Sequence, residues 1–250
     1  MNEAHAEFVR RLSALERDSR DAARVTYTGL LLRYMTERDA HAQQQITRHL
    51  AFWAGIWSAL QTAAFVALGR IYEDKNTFCA DRLIKFAEYN YGIFSTASLI
   101  DRKKKEGFSE AAATEFAANA FQPKQNSFGR LRQEFADRRM RFEKKFKDIR
   151  DEIYAHTGKL TEDERSDLFA QALRQDLAEV AAFPLQLHRA LFHLYYNGIE
   201  PLLGPAPSDL AEVLKSKAGG RSTTWEHLHV AKDVSDFLSS LISEKPNRGN

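Results

Sequence analysis

The chain has 250 residues, 44% of them apolar and 28% charged, a composition typical of folded soluble proteins and not of disordered ones. Thirty-six Lys and Arg against 34 Asp and Glu leave a net charge of only +2, which excludes a histone-like polycation. A single cysteine cannot form an internal disulfide, and the first residues lack a secretory signal, so the sequence predicts a cytoplasmic protein.

Apolar residues recur at helical spacing along nearly the whole chain, and the alternation expected of strands is missing. The sequence therefore predicts an all-α fold. One or two amphipathic helices are expected over residues 3 to about 38. A first long helix follows, and its apolar residues step by three and four positions to form one buried seam: Ile46, Leu50, Trp53, Trp57, Leu60, Ala64, Ala67 and Ile71.

Residues 51 to 69 of this helix carry no charge, and that length is what a bilayer-spanning helix needs. Ser58, Gln61 and Thr62 lie near the middle of the stretch, however, and the seam continues beyond both of its ends. We therefore expect a buried core helix and no membrane association.

Shorter helices are expected next, at residues 81 to about 90, 96 to 105 and 110 to 120. Ser95 and Ser109 are placed to cap the last two, and Gln122 with Pro123 indicates a loop. A second long helix follows, with a seam of mostly aromatic residues: Phe128, Leu131, Phe135, Phe142, Phe146, Ile149 and Ile153.

In the C-terminal third, Thr161 with Glu164 has the pattern of a capping box that opens a helix. Pro184 predicts a kink or a break in the helical run from 168 to 196, and Asn197-Gly198 predicts its end. Residues 201 to 207 contain three prolines and a glycine, which indicates a linker. We expect a bundle domain over residues 1–200 and a C-terminal extension over 201–250, with helices at about 209 to 217 and 224 to 243.

The segment RDEIYAH, from Arg150 to His156, ends the second long helix and carries the most informative side chains. A guanidinium holds a phosphate without losing its charge, and an imidazole transfers protons near neutral pH, so the pair suits phosphodiester cleavage without a metal. A second such pair, Arg221 and His227, follows two glycines where a helix would begin, and we interpret it as a chance match.

On an ideal helix, Arg150 and His156 point about 120° apart. They converge only if the helix loosens toward Gly158 or if a second copy of the chain supplies one of them. The alternative is a histidine that only stabilises the negative end of the helix.

Basic residues dominate the approach to this segment. Ten Lys or Arg and four acids lie between residues 124 and 150, a local balance of +6 that could bind a polyanion. A solvated helix flank with ordinary intrahelical ion pairs is the alternative.

The segment RDEIYAH at the end of a long helix resembles the signature of the HEPN superfamily of all-α ribonucleases and RNA- or nucleotide-binding domains. Residues 57 to 75, WSALQTAAFVALGRIYEDK, resemble the second helix of its abortive-infection AbiU-like branch, and the resemblance spans about residues 40 to 160. It implies an antiparallel helical bundle with additional C-terminal helices, and a homodimer in which two copies of the motif face each other across a cleft.

This resemblance also implies roles for individual residues. Arg150 would polarise the scissile phosphate of RNA, His156 would handle protons and Asp151 would orient one of the two, without metal or other cofactor. Basic residues near the motif would hold the RNA: Arg141, Lys144, Lys145, Lys147 and Lys159. An antitoxin or other regulatory partner is also expected for such a protein.

A non-catalytic module is the main alternative, binding RNA, nucleotide or an antitoxin while Arg150 and His156 serve only the structure. Other chemistry has less support. His188 and His193 are five residues apart and do not match the spacing of a helical zinc pair. The sequence has no glycine-rich phosphate loop and no Gly-x-Ser-x-Gly elbow, which disfavours nucleotide hydrolysis and acyl transfer.

Overall fold

The computed structural model of the chain describes residues 3–74, 76–147, 174–204 and 226–243. Within these ranges all regular structure is helical, which confirms the all-α prediction. The α-helices, numbered in chain order, are α1 Glu3–Thr36, α2 Ala40–Arg48, α3 Leu50–Tyr72, α4 Ala80–Tyr89, α5 Thr96–Lys105, α6 Glu110–Ala117, α7 Gly129–Phe142, α8 Arg174–Asn197 and α9 Glu226–Ser243. Two 3₁₀ segments, Tyr91–Phe94 and Gln125–Phe128, and a π-helical turn, Glu143–Lys147, complete the described helices.

The chain forms two compact units, each assembled from separate stretches. The first unit contains residues 1–19, 69–144 and 183–206, and the second contains 20–68, 145–182 and 207–250. The predicted domain boundary at residue 200 stays a prediction, because residues 205–225 lie outside the described part of the chain. The antiparallel arrangement of the bundle also stays a prediction.

Aromatic rings fill the core of the first unit. Tyr72, at the end of α3, stacks between two phenylalanines of α7, with ring centroids 5.6 Å from Phe135 and 5.3 Å from Phe142. Phe94 contacts Phe8 edge-on and also contacts Phe128. The predicted seam of α7 is confirmed over its described residues, since every one of them is at most 2% exposed: Phe128, Leu131, Phe135, Phe142 and Phe146.

The starts of α5 and α6 and the end of α8 lie where the local sequence predicts them. The side chains of Ser95 and Ser109 accept hydrogen bonds from the amides of Ser98 and Ala112, which confirms both predicted caps. Helix α8 ends at Asn197, as predicted, and Gly198 follows with φ of +63°.

The sequence predicts a kink or a break at Pro184, and the kink stays a prediction. A break does not occur, because α8 continues through this residue. Phe183 and Leu187, on either side of it, are 2% and 0% exposed. Burial of the helix against its surroundings offsets the one hydrogen bond that proline cannot donate.

The prediction of one continuous helix from Ile46 to Ile71 is wrong, because α2 ends at Arg48 and α3 begins at Leu50. His49, between them, has φ of −125° and ψ of 44°, outside the helical region. No glycine or proline marks this break in the sequence. Leu50, which the seam places inward, is 65% exposed, whereas Ala64 farther along the seam is buried.

In the second unit, the hydroxyl of Tyr27 in α1 donates to the carbonyl of Ala178 in α8 over 3.1 Å. Trp53 of α3 lies against Phe237 of α9, with ring centroids 6.3 Å apart. Helix α9 confirms the helix predicted at residues 224 to 243. The other C-terminal helix, predicted at 209 to 217, and the capping box at Thr161 lie outside the described residues.

Among the described residues, α3 is the one helix long and apolar enough to cross a membrane, with a mean hydropathy of 1.4 over its best window. Only 17% of that window is buried. The expectation of a buried core helix is therefore wrong for one of its faces. Length and composition alone do not indicate a membrane span, because core helices share them.

Candidate active site

The predicted catalytic residues Arg150, Asp151 and His156 lie outside the described part of the chain, as does Lys159. The structure describes the helix that leads to them. Helix α7 passes directly into the π turn Glu143–Lys147, which ends two residues before the motif in the chain. Turns of this kind occur mostly inside α-helices and often at functional sites.

Buried aromatic residues fix the chain on both sides of the start of this turn. Phe142 and Phe146 are each fully buried. In the second unit, Phe146 contacts Phe65 of α3, with ring centroids 6.1 Å apart. A π turn places an extra residue between successive hydrogen-bonded groups, so the face presented by the following residues cannot be extrapolated from the seam of α7.

Arg139 joins the π turn to the segment after α3. Its Nη1 donates to Asp74 Oδ1 over 2.6 Å, and its Nε donates to Glu143 Oε1 over 2.9 Å. The hydrogen bond from Arg139 to Asp74 is the main reason why the pKa of this guanidinium is raised above its ordinary value. Arg139 therefore stays charged and holds the first residue of the π turn.

Other basic side chains of the stretch also pair within the protein. Arg132 pairs with Glu88 of α4 at 3.1 Å. Arg138 pairs with Glu134 one turn earlier, and its guanidinium lies 5.3 Å from the ring centre of Phe183. These contacts tie α7 to α4 and to α8 inside the first unit.

The residues predicted to bind RNA have different environments. Arg141 and Lys144 are exposed. The ammonium of Lys145 instead pairs with the carboxylate of Asp176 in α8, within the second unit. For Lys147 the structure describes the backbone of the turn but not the side chain.

The local charge balance of +6 therefore overstates the free positive charge. Its neutralising partners Asp74, Glu88 and Asp176 lie 65, 44 and 31 residues away from the basic residues that they bind. Counting charges within the stretch could not reveal them. Among the described residues, the basic side chains of the stretch without an ion-pair partner are Lys124, Arg130 and Lys144.

Three histidines of the first unit lie close to polar side chains. The Nδ1 atom of His5 is 2.9 Å from the hydroxyl of Tyr195, and Nδ1 of His193 is 2.8 Å from the side-chain amide of Asn197. Burial is the largest cause of the lowered pKa of both histidines. His188 Nε2 is 3.9 Å from a carboxylate oxygen of Glu16. The described residues include no group of three or more His, Cys, Asp or Glu that could hold a metal ion.

Arg102 of α5 is a buried cation that the sequence did not indicate. Its Nη1 donates to the carbonyl of Ile93 over 2.8 Å, and its Nη2 donates to that of Tyr195 over 2.6 Å. Its guanidinium carbon lies 4.1 Å from the centre of the Tyr195 ring. Because burial disfavours the charged form, the pKa of Arg102 is lowered. The side chain joins α5 to the end of α8 in the first unit.

A comparison with protein families places these features in context. The model of the HEPN_AbiU2 family, described as AbiU2, matches residues 5–215, more than four-fifths of the chain, and the segment from Arg150 to His156 lies inside this match. Searches of curated proteins and of solved structures find no match for the chain. The chain therefore belongs to the HEPN_AbiU2 family, and it is an all-α HEPN-type abortive-infection module.

Proposed function

We propose that this chain is a metal-independent endoribonuclease that acts in the cytoplasm, in prokaryotic defence or as the toxin of a toxin–antitoxin pair. The observation that carries the proposal is the presence of Arg150 and His156 inside the family match, a few residues after a helix whose end is held by Phe142 and Phe146. An arginine and a histidine supply what cleavage of RNA by its own 2′-hydroxyl requires, which is a fixed positive charge and a proton carrier.

In the proposed reaction, Arg150 binds and polarises the scissile phosphate. The 2′-oxygen attacks phosphorus and loses its proton, the bond from phosphorus to the 5′-oxygen breaks, and that oxygen gains a proton. His156 accepts the first proton or donates the second, and Asp151 orients one of the two functional side chains. The products are a 2′,3′-cyclic phosphate and a 5′-hydroxyl, with no change of oxidation state.

The site is proposed to be composite, formed in a cleft between two copies of the chain. On one ideal helix Arg150 and His156 point about 120° apart, so a phosphate between two copies can contact an arginine and a histidine more readily than a phosphate on one copy.

Arg141, Lys144, Lys147 and Lys159 are proposed to hold the RNA backbone near this cleft. The exposure of Arg141 and Lys144 supports their part in it. Lys145 has less to contribute, because RNA would have to displace Asp176 from its ammonium.

One observation favours the alternative, a non-catalytic module that binds RNA, nucleotide or an antitoxin. Arg132, Arg138 and Arg139 hold α7 in place through internal ion pairs, so much of the basic stretch serves the structure. Under this alternative Arg150 and His156 would also serve only the structure.

Incubation of the purified protein with labelled RNA in EDTA distinguishes the endoribonuclease from the non-catalytic module. The variants Arg150→Ala and His156→Ala should each lose at least about a hundredfold in cleavage rate, the usual contribution of general acid–base catalysis. Matched controls come from the chance pair, as Arg221→Ala and His227→Ala, which should cleave like the wild type. A wild type that binds RNA in this assay and never cuts it would leave only the alternative.

A further inference from the structure

One face of α8 carries aromatic rings and basic groups and has no carboxylate of its own. At 100° per residue, the partly or fully exposed residues from 188 to 196 fall within an arc of about 140°. We call these residues the α8 face: His188, Arg189, Phe192, His193 and Tyr196. All of them belong to the first unit.

The ring of Phe192 lies at the centre of the α8 face and is supported by its neighbours. Its centroid is 4.6 Å from that of Tyr196, 5.9 Å from that of His188 and 5.7 Å from that of His193, which it meets edge-on. Phe192 nevertheless remains 39% exposed. Because three rings limit its movement, Phe192 presents a preorganised planar surface to solvent.

The opposite side of α8 is anchored in the core of the first unit. Leu187, Leu191 and Leu194 are fully buried, and Tyr195 is 3% exposed. The side chains of the α8 face are therefore not needed to hold the helix in place, and they are left to meet another molecule.

Basic groups on the α8 face are not balanced by acids of the same helix. Residues 180 to 199 contain no Asp or Glu, although the chain has 34 of them. Arg189 is exposed, and its charge is the second cause, after burial, of the lowered pKa of His193, so the two side chains lie close together. Glu16 of α1 approaches the face at His188, where the two side chains are 3.9 Å apart.

A neighbouring amide fixes the tautomer of His193. Its Nδ1 lies 2.8 Å from the side-chain nitrogen of Asn197, and an amide nitrogen can only donate a hydrogen bond. Nδ1 therefore accepts, and the proton of the neutral ring is on Nε2. His193 can donate this proton in a hydrogen bond to a phosphate oxygen without being charged.

Single-stranded RNA is the ligand that uses both kinds of group. Unpaired bases stack on Phe, Tyr and His rings and on Arg guanidinium planes, while Arg and other donors bind the phosphates. An apolar protein surface would leave the donors of Arg189 and His193 without partners, and a free phosphate would leave the rings uncovered. Duplex RNA keeps its bases stacked inside the helix, where these rings cannot reach them.

We propose that the α8 face binds single-stranded RNA, with an unpaired base stacked on Phe192 and the adjoining phosphate held by Arg189 and His193. Neither contact selects a sequence, because every base has a flat face and every nucleotide has a phosphate. The inference rests on the proposed function for the choice of RNA as the ligand, and it names a contact for that RNA outside the motif.

RNA binding by Phe192 variants of the full chain tests the stacking contact. The probe is a labelled single-stranded RNA with every 2′-hydroxyl methylated, which cannot attack its own phosphate, and fluorescence anisotropy measures its affinity. Phe192→Leu keeps an apolar side chain but removes the ring, and it should lower the affinity at least about fivefold, the effect of losing one stacked base. Phe192→Tyr, which keeps a ring, should bind like the wild type.

Two controls show whether the effect belongs to a stacked base on this face. Tyr89→Ala removes a ring that is 74% exposed on α4 of the same unit, and it should not change the affinity. A duplex of the same sequence should bind the wild type and Phe192→Leu equally. Circular dichroism checks that the variants stay helical.

The phosphate contact has a separate readout. Arg189→Met should lower the slope of log affinity against log salt by about 0.7, the contribution of one phosphate on a single strand. Phe192→Leu should leave this slope unchanged, because a stacked base releases no counterions.

Three results would overturn the inference. They are an unchanged affinity of Phe192→Leu for the single strand, an equal loss on the single strand and the duplex, and a change of mass in light scattering that shows the face to be covered by protein. Cleavage of unmodified RNA is measured separately. A protein that binds single strands through Phe192 and never cuts RNA would refute the proposed function alone, whereas one that cuts RNA and binds it without Phe192 would refute this inference alone.

Discussion

Arg139 and Asp74 join the end of α3 to the π turn before the motif. The Nη1 of Arg139 donates to Asp74 Oδ1 over 2.6 Å while its Nε donates to Glu143, so one planar side chain bonds two carboxylates. Both partners are partly exposed, and solvent screening limits the effect of such a pair on stability to about 1 kcal/mol or less. The geometry of the π turn should depend on this ion pair more strongly than the stability of the protein does.

We therefore predict that Arg139→Met lowers the free energy of unfolding by about 1 kcal/mol or less, but lowers RNA cleavage by about tenfold or more, because Arg139 positions the turn that precedes the motif. Urea unfolding and the cleavage assay measure the two effects. Arg130→Met, at an exposed position of the same helix, is the control for loss of charge on α7. Equal losses of activity in both variants would show that charge matters here and the position of the turn does not.

Gly198 should be irreplaceable for a steric reason. Its φ is +63°, and an added Cβ would lie 2.6 Å from Cβ of Ala120 and 2.8 Å from a methyl carbon of Leu99. We predict that Gly198→Ala lowers the free energy of unfolding by about 2 to 4 kcal/mol, from the left-handed backbone and the overpacking together. Gly92→Ala, whose Cβ would meet nothing within 4 Å, should change it by less than about 1 kcal/mol. Urea denaturation measures the free energy of unfolding of both variants. Similar losses in the two would contradict the steric argument.

Features that depend on neighbouring residues could be predicted from the sequence. The caps at Ser95 and Ser109, the end of α8 at Gly198 and the buried seam of α7 each follow from side-chain chemistry and helical spacing over a few positions. The motif from Arg150 to His156 rests on the same kind of local reasoning, and it stays a prediction because these residues lie outside the described part of the chain.

Features that depend on distant residues could not be predicted. The pairing of Lys145 with Asp176 joins residues 31 positions apart, and nothing local marks Arg102 as buried. The break at His49 has no glycine or proline to signal it. Periodicity identified the inward seam of α3, but it gave no sign that the other face would remain exposed without charge.

Arg102 should be important for the stability of the first unit. Arg102→Met keeps most of the apolar stem and leaves the carbonyls of Ile93 and Tyr195 without their donor. Because each unsatisfied buried group costs about 1 to 3 kcal/mol and removal of a buried charge recovers part of this, we predict a net loss of about 2 kcal/mol. Lys105→Met removes an exposed cation from the same helix and should have little effect. Thermal or urea unfolding that finds the two variants equal would show that the buried hydrogen bonds are dispensable.

Stability should fall in mild acid because of His5. Burial lowers the pKa of His5 below its ordinary 6.5, so the folded state binds its proton less readily than the unfolded state does. The contribution of neutral His5 to the free energy of unfolding is therefore complete above about pH 6.5, and it is lost as the pH falls below that value. We predict that His5→Gln flattens the fall in urea midpoint between about pH 7.5 and about pH 5.5, relative to the wild type. His193 shifts in the same direction, so part of the slope should remain, and an unchanged slope would contradict the assignment to His5.

Two adjacent lysines should differ in their contribution to RNA binding. Lys144 is exposed and without an ion-pair partner among the described residues, whereas the ammonium of Lys145 is held by Asp176. Each phosphate contact on single-stranded RNA contributes about 0.7 to the slope of log affinity against log salt. We predict that Lys144→Ala lowers this slope by about that amount and that Lys145→Ala leaves it nearly unchanged. Fluorescence anisotropy with a labelled RNA at several salt concentrations measures the slope for both variants.

A double variant tests whether Lys145 faces the RNA. Asp176→Asn in a Lys144→Ala background should restore part of the slope, because it frees the ammonium of Lys145 to bind phosphate. No recovery would show that Lys145 does not face the RNA.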